Sequence, residues 1–123
     1  MGDNPTALKI VRGNTGKWTD AIYLCGAPQN VSGATVTYVF ASPTTSERFT
    51  QSTTDGSVTI PNPVPGTPFL PQVLLTMQPA TTLALQNPVV GEPNVFNMQQ
   101  TIVDALGNVT TVEWGTLTLW GTL

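Results

Sequence analysis

The side chains able to do chemistry in this sequence are few and scattered. Its seven carboxylates are Asp3, Asp20, Glu47, Asp55, Glu92, Asp104 and Glu113. Two carboxylates brought together by a fold could work as acid and nucleophile on a glycosidic bond. Asp55, however, precedes Gly56, and Asp104 opens the segment Asp104-Ala105-Leu106-Gly107-Asn108. In such contexts an aspartate hydrogen-bonds the backbone of its own turn. A calcium loop needs several carboxylates close together in sequence, and no such run exists. There is no histidine, which removes the base of a Ser-His-Asp or Cys-His arrangement and the usual nitrogen ligand of zinc. Cys25 stands alone, so no intramolecular disulfide or thiolate cluster is available; following Ile22-Tyr23-Leu24, it reads as a small buried hydrophobe. No glycine-rich loop suited to phosphate is present. The sequence therefore predicts a protein that is not an enzyme, with no catalytic residues, no cofactor and no metal site.

The basic residues are Lys9, Arg12, Lys17 and Arg48. Three of them lie close together, a pattern expected of a solvated strand and turn. With a net charge of −3, the chain lacks the broad basic surface that phosphate recognition requires, so a nucleic-acid partner is not expected. What remains is aromatic: Trp18, Trp114 and Trp120. Exposed beside polar groups, tryptophans can line a ligand groove; in a core or an interface they act as anchors.

Composition sharpens this. A chain of 123 residues fits one domain, 1–123, with a core of its own. Apolar residues make up 40%, yet charged residues only 9%, against roughly 25% in an average soluble domain. Free monomers rely on surface charge to stay dispersed, so a chain this weakly charged either lives at low concentration or has much of its surface covered by neighbours. The start MGDNPTALKI has neither the cationic end nor the apolar stretch of a signal peptide, and no apolar run approaches the roughly 20 residues of a membrane helix. Synthesis in a reducing cytoplasm without export, and no membrane partner, are the expectations.

The elements that must position these residues read as strands. The stretch Asn94 to Trp120 carries two β-branched runs around Asp104–Asn108, the pattern of a β-hairpin with a three- to five-residue loop. In its second arm, alternation places Leu117 and Leu119 on one face and Trp114, Thr116, Thr118 and Trp120 on the other. Upstream, strands are predicted at Ala7 to Arg12, Trp18 to Cys25, Ala34 to Ala41, Ser46 to Ser52, Ser57 to Ile60, Gln72 to Gln78 and Thr81 to Gln86. Pro61, Pro63, Pro65, Pro68 and Pro71 exclude helix and central strand, leaving an extended crossover at 61–71. No window shows helical apolar spacing with caps. Eight to ten short strands with frequent turns select an all-β fold, an antiparallel β-sandwich of immunoglobulin-like or jelly-roll-like kind. Its expected core comprises Trp18, Ile22, Val36, Tyr38, Phe40, Phe96, Met98 and Ile102.

Three motifs carry a resemblance. KIVRGNTGKWTDAIYL and VSGATVTYVF follow a strand, an R-G-D/N-T turn, a strand, a loop and an L-T-G-A-T-V-T-F strand. IVDALGNVTTVEWGTLTLW, Ile102 to Trp120, is similar to the pattern D-x-x-G-x-V-T-T-x-x-x-G-T-L-T-V. The shared positions are Arg12, Gly13, Thr15, Gly33 to Thr37, Asp104, Gly107, Val109, Thr110, Thr111 and Gly115 to Thr118, and they bracket nearly the whole chain. Together they resemble the amino-terminal β-sandwich module of tailed-bacteriophage baseplate upper proteins and related small virion proteins. Asn14 replaces the usual Asp, Val31-Ser32 replaces Leu-Thr, and the proline-rich middle is a departure.

The resemblance implies a virion component, made in a bacterial host, that docks on other virion proteins (the major capsid protein, or tail and baseplate subunits) and forms homo-oligomers in the particle. Baseplate upper proteins continue beyond this module; taken as complete at Leu123, the chain would be a small accessory subunit such as a capsid decoration or cement protein, with a tail, neck or baseplate module as the alternative. A carbohydrate-binding adhesin is the reading from another class, and would show its tryptophans in a groove. The interface candidates are Trp114, Thr116, Thr118 and Trp120 on the last strand, with Pro63, Pro65, Pro68 and Phe69 in the crossover.

Overall fold

A computed structural model describes residues 6–20, 23–24, 27–28, 30–43, 46–61, 73–85 and 93–120, with the side chains of residues 6, 20, 23, 24, 27, 28 and 112–114 excepted. The elements are β1 (Thr6–Val11), β2 (Gly16–Asp20), β3 (Tyr23–Leu24), β4 (Ala27–Pro28), β5 (Thr35–Ala41), β6 (Arg48–Ser52), β7 (Val58–Thr59), β8 (Val73–Met77), α1 (Pro79–Leu83), β9 (Asn94–Val103) and β10 (Val109–Trp120). The chain is all-β and sandwich-like. A five-stranded sheet runs β1-β10-β9-β5-β6 and a three-stranded sheet runs β2-β8-β7, with β3 and β4 forming a separate ribbon.

Alternation builds the core as the sequence pattern predicts. In β5, Val36, Tyr38 and Phe40 are buried while the residues between them are half-buried. In β9, Phe96, Met98, Gln100 and Ile102 point inward, and in β10 Leu117 and Leu119 are fully buried. Val58, Val73, Leu75 and Met77 answer from the smaller sheet and merge with them into one cluster. The β-branched and aromatic content of these strands suits the pleated, half-buried surface they form. Phe49 of β6 stacks on Phe40 with ring centroids 4.5 Å apart and meets Phe96 edge-on at 5.4 Å, which ties β5, β6 and β9 together. Of the expected core, Trp18 is half-buried and packed against this cluster, and Ile22 lies outside the described residues.

The terminal hairpin is the longest pairing in the fold, running from Val109 opposite Val103 to Leu119 opposite Asn94. Its loop is closed by Asp104, whose N–H donates to the Asn108 carbonyl at 3.0 Å, while the Gly107 N–H donates back to the Asp104 carbonyl at 3.0 Å. Three residues cross the gap, with Gly107 at φ 89°, the arrangement of a type I turn followed by a left-handed residue.

Four expectations are corrected. The sheets are not purely antiparallel, because β1 pairs in parallel with β10, Thr6 opposite Gly115 through Val11 opposite Trp120; alternation cannot report strand direction. Of the strand expected at Thr81 to Gln86, residues 81–85 form no strand, and Gln86 lies outside the described residues. Pro79 at the start of α1 fixes a helical φ, and one turn of helix results. A five-residue helix is too short to show the spacing that reveals longer ones. The stretch expected as one strand from Trp18 to Cys25 is divided between two sheets, β2 pairing with β8 and β3 with β4, while residues 21, 22 and 25 lie outside the described residues. Finally, the register of β10 shifts between Glu113 and Gly115. This bulge breaks the strict alternation expected along the strand, and it falls at Trp114, whose side chain lies outside the described residues.

Candidate docking surface

The outer face of the five-stranded sheet is a wall of mostly uncharged side chains, with charge at its outermost strands. Thr116, Thr118 and Trp120 of β10 are half-buried on it, beside Val95, Asn97 and Gln99 of β9 and Thr37, Val39 and Ala41 of β5. These positions face outward because their neighbours Leu117, Leu119, Phe96, Met98, Tyr38 and Phe40 face the core. Arg48 and Lys9 are exposed on the outermost strands of the same sheet. A shallow depression of about 300 Å³ over this face is lined by Val39, Ala41, Arg48, Asn97, Met98 and Gln99. Of the predicted interface residues, the structure thus brings Thr116, Thr118 and Trp120 onto one face. The Trp114 side chain and Pro63, Pro65, Pro68 and Phe69 lie outside what it describes.

Trp120 also belongs to a second feature that the sequence did not signal. β1 and β2 follow each other in the chain but do not pair; they are outermost strands of different sheets. Between them runs a groove of about 420 Å³ lined by Lys9, Ile10, Val11, Asn14, Thr15, Gly16, Lys17, Trp18 and Trp120. Gly16 seats one of its rings. A β-carbon there would fall 2.8 Å from Trp18 Cζ3 and 2.9 Å from Ile10 Cδ1, so the indole covers the bare backbone of Gly16 two residues before it.

The turn joining β1 to β2 is held from outside. Asn14 donates its N–H to the Val11 carbonyl at 3.0 Å, with Gly13 at φ 88°. The Gly13 N–H donates to Thr82 Oγ1 at 2.8 Å. Arg12 donates through Nε to the Thr82 carbonyl at 3.3 Å and through Nη2 to the Leu83 carbonyl at 2.6 Å. These carbonyls lie in the last turn of α1, where a cation is favourable, and the Thr82 carbonyl also accepts from the Leu85 N–H at 3.1 Å. Arg12 and Gly13 are therefore a clamp on α1. Lys9, Arg12 and Lys17 are all exposed, and Arg12 differs from the two lysines in being tied to the α1 carbonyls.

The acids stand where turn chemistry predicts. Asp104 Oδ1 accepts from the Leu106 and Asn108 N–H groups, each at 2.9 Å, and Oδ2 accepts from Asn108 Nδ2 at 3.1 Å. Asp55 Oδ1 accepts from the Ser57 N–H at 2.8 Å and from the Ser57 hydroxyl. The Asn108 amide holds the Asp104 carboxyl below the ordinary range, and the Ser57 hydroxyl does so for Asp55. Glu47 Oε1 accepts from Asn94 Nδ2 at 3.2 Å, and Asn94 Oδ1 accepts from the buried Ser42 hydroxyl at 2.7 Å. Among the described residues, no group of three Cys, Asp or Glu is placed to hold a metal ion, and no helix is long and apolar enough to cross a membrane. A buried polar row crosses three strands: Gln100 Nε2 donates to Tyr38 Oη at 2.8 Å, while Gln51 Oε1 on the far side finds no partner. Amides and a phenol so enclosed offer register and specificity to the sheet and no acid or base near neutrality.

No protein-family model, curated protein or solved structure matches this chain. The surface must therefore be judged on its own chemistry. It offers a flat, mostly uncharged, partly aromatic face and an adjoining groove with two indoles and two lysines. Sequence alternation found the face. The groove escaped because it depends on two strands from different sheets approaching without pairing; the one local signal was Gly16 at the position that lets Trp18 fold back.

Proposed function

We propose that the protein is a non-enzymatic structural component of a bacteriophage virion, a docking module that attaches through the outer face of its five-stranded sheet to other virion subunits and to copies of itself. The observation that carries this reading is Trp120. It is half-buried at the edge of a nearly uncharged wall, on the strand whose other face, Leu117 and Leu119, is fully buried. An aromatic at the rim of a weakly charged surface is an aggregation hazard unless a neighbour covers it. The R-G-N-T turn and the D-x-x-G…G-T-L-T ending supply the likeness to phage virion modules. A small accessory subunit such as a capsid decoration protein is the form proposed, with a tail, neck or baseplate attachment module as the alternative.

Quantitative mass spectrometry of purified particles tests this. Many copies per capsid support decoration, and a handful support a tail or neck position. Absence from particles of a phage that expresses the protein overturns the proposal.

A further inference from the structure

We infer that the groove between β1 and β2 receives an extended acidic polypeptide segment from a neighbouring subunit, added as a strand to the free edge of β1. The inference rests on the docking reading and names what is docked at its edge.

The backbone supplies the first argument. β1 is the end strand of its sheet, with β10 on one side only. At the end of that ladder the Arg12 N–H donates to the Trp120 carbonyl at 2.7 Å. Hydrogen-bonding direction alternates along a strand, so with Arg12 facing β10 the N–H and C=O groups of Lys9 and Ala7 and the N–H of Val11 face away from it, the Val11 carbonyl being taken by the Asn14 N–H of the turn. Lys9 and Val11 line the groove. Among the described residues, nothing pairs with this edge. From Ala7 to Val11 it spans about 13 Å, enough for a strand of about five residues. Such an edge is a template for another chain, and strand addition is a recurrent way of recognising an extended peptide.

Charge supplies the second. The whole chain has net charge −3 and four basic residues; two of these, Lys9 and Lys17, are exposed on opposite walls of this groove, and Arg12 stands in the turn above it. Asp55 and Asp104 sit in turns at the other end of the sandwich, beside the start of β5 and the end of β9. A carboxylate-bearing strand meets opposite charge along both walls, while a basic one is repelled. The third argument is the floor. Ile10 and the indoles of Trp18 and Trp120 give the groove an apolar base, and Trp18 is held over Gly16 before anything binds, so little side-chain freedom is lost on docking. Paired indoles would also suit a sugar. The unused backbone edge is what selects a strand over a saccharide, because a sugar has no use for alternating N–H and C=O groups.

The test uses the purified chain and three probes: a heptapeptide alternating glutamate and valine, its lysine counterpart, and a galacturonate oligomer, followed by tryptophan emission and amide NMR shifts. The glutamate peptide is expected to bind, with shifts concentrated in residues 7–18, and the lysine peptide is not. The double variant Lys9→Glu, Lys17→Glu is expected to weaken the glutamate peptide at least tenfold and to admit the lysine peptide; both side chains are exposed, so the unchanged spectrum of its core confirms the fold. N-methylation of alternate peptide amides should abolish binding, because it blocks strand pairing and leaves the charges. Equal binding of the two peptides, indifference to N-methylation, or binding of galacturonate alone overturns the proposal. A protein found in particles that binds no peptide removes the groove and leaves the docking reading. A protein absent from particles that binds the peptide removes the docking reading, and with it the neighbouring subunit as the source of the strand.

Discussion

The two long sides of this sandwich are finished in opposite ways. Where β6 approaches β7, the chain closes on itself with its own polar groups. The Ser52 N–H donates to Ser57 Oγ at 3.0 Å, the Thr54 N–H donates to Ser52 Oγ at 3.2 Å, and the Thr76 N–H donates to the Ser57 carbonyl at 2.8 Å. Thr53 binds Val36 in both directions, N–H to carbonyl at 3.1 Å and Val36 N–H to Oγ1 at 3.2 Å. Where β1 approaches β2, the described residues form no ladder across the seam. One turn is clamped to α1, and beyond it lie two indoles, two lysines and a free strand edge. A seam that satisfies its donors internally asks nothing of a partner. One that leaves backbone and aromatic surface available gains most of its stabilisation when something else covers it.

The comparison breaks most visibly if the core beneath both seams is disturbed. Phe96 is fully buried and meets Phe49 edge-on, so Phe96→Ala is expected to cost about 3–5 kcal/mol. In a domain of this size that lowers Tm by roughly 10–20 °C, read by thermal denaturation. Such a loss says only that both sides share one core. Unfastening the clamp is more specific. Thr82 is fully buried, accepts from the Gly13 N–H and donates its hydroxyl to the Pro79 carbonyl at 3.1 Å. Thr82→Val keeps the volume and orphans that N–H, for an expected loss of about 1–3 kcal/mol, with faster amide exchange at Gly13 and Asn14 and no change at Ser57. Smaller still is the expected effect of Trp120→Ala on folding. A half-exposed ring at an open seam should cost under about 1 kcal/mol while weakening particle attachment at least tenfold. If Tm falls as far as it does for Phe96→Ala, Trp120 closes the core and the seam is not a surface.

How much of this was legible beforehand follows from which forces act locally. Alternation within β5, β9 and β10 reports burial directly, so spacing alone puts Val36, Tyr38, Phe40, Phe96, Met98 and Ile102 in the core and Leu117 and Leu119 on one face of their strand, and turn residues mark the Asp104–Asn108 loop. Strand direction is a non-local choice, and the parallel pairing of β1 with β10 has no period of its own. The one-turn helix hid because Thr81 to Gln86 is as acceptable in a strand as in a helix until Pro79 decides. Composition marks Trp18, Trp114 and Trp120 together as candidates for a groove, a core or an interface. Nothing at positions 18 and 120 says that they line one groove, since their meeting depends on the packing of two sheets. Arg12 was grouped with Lys9 and Lys17 by charge, although its partners, the carbonyls of residues 82 and 83, lie seventy positions away.

The smallest expected effect separates the seams by pH. Hydrogen bonds from Ser57 hold the Asp55 carboxyl below its ordinary value of 3.8, so the folded state favours the ionised form. A depressed folded pKa contributes stability that is fully present above the unfolded value and is lost as pH falls through the folded one. The closed seam should therefore be at full strength near neutrality and weaken only in acid. The open seam, whose lining residues include no carboxylate, has no matching acid transition. Asp55 is largely exposed and screened by water, so its share is expected to stay below about 1 kcal/mol. Amide exchange followed from neutrality to about pH 2, corrected for the intrinsic rate, should show protection falling first at Ser57 and Thr76. In Asp55→Asn the neutral protection at these amides should already be reduced and its acid dependence flattened, with Lys9 and Val11 unchanged. Identical acid profiles in the two proteins would mean that the carboxylate contributes nothing to the seam, and that the serines and Thr53 close it alone.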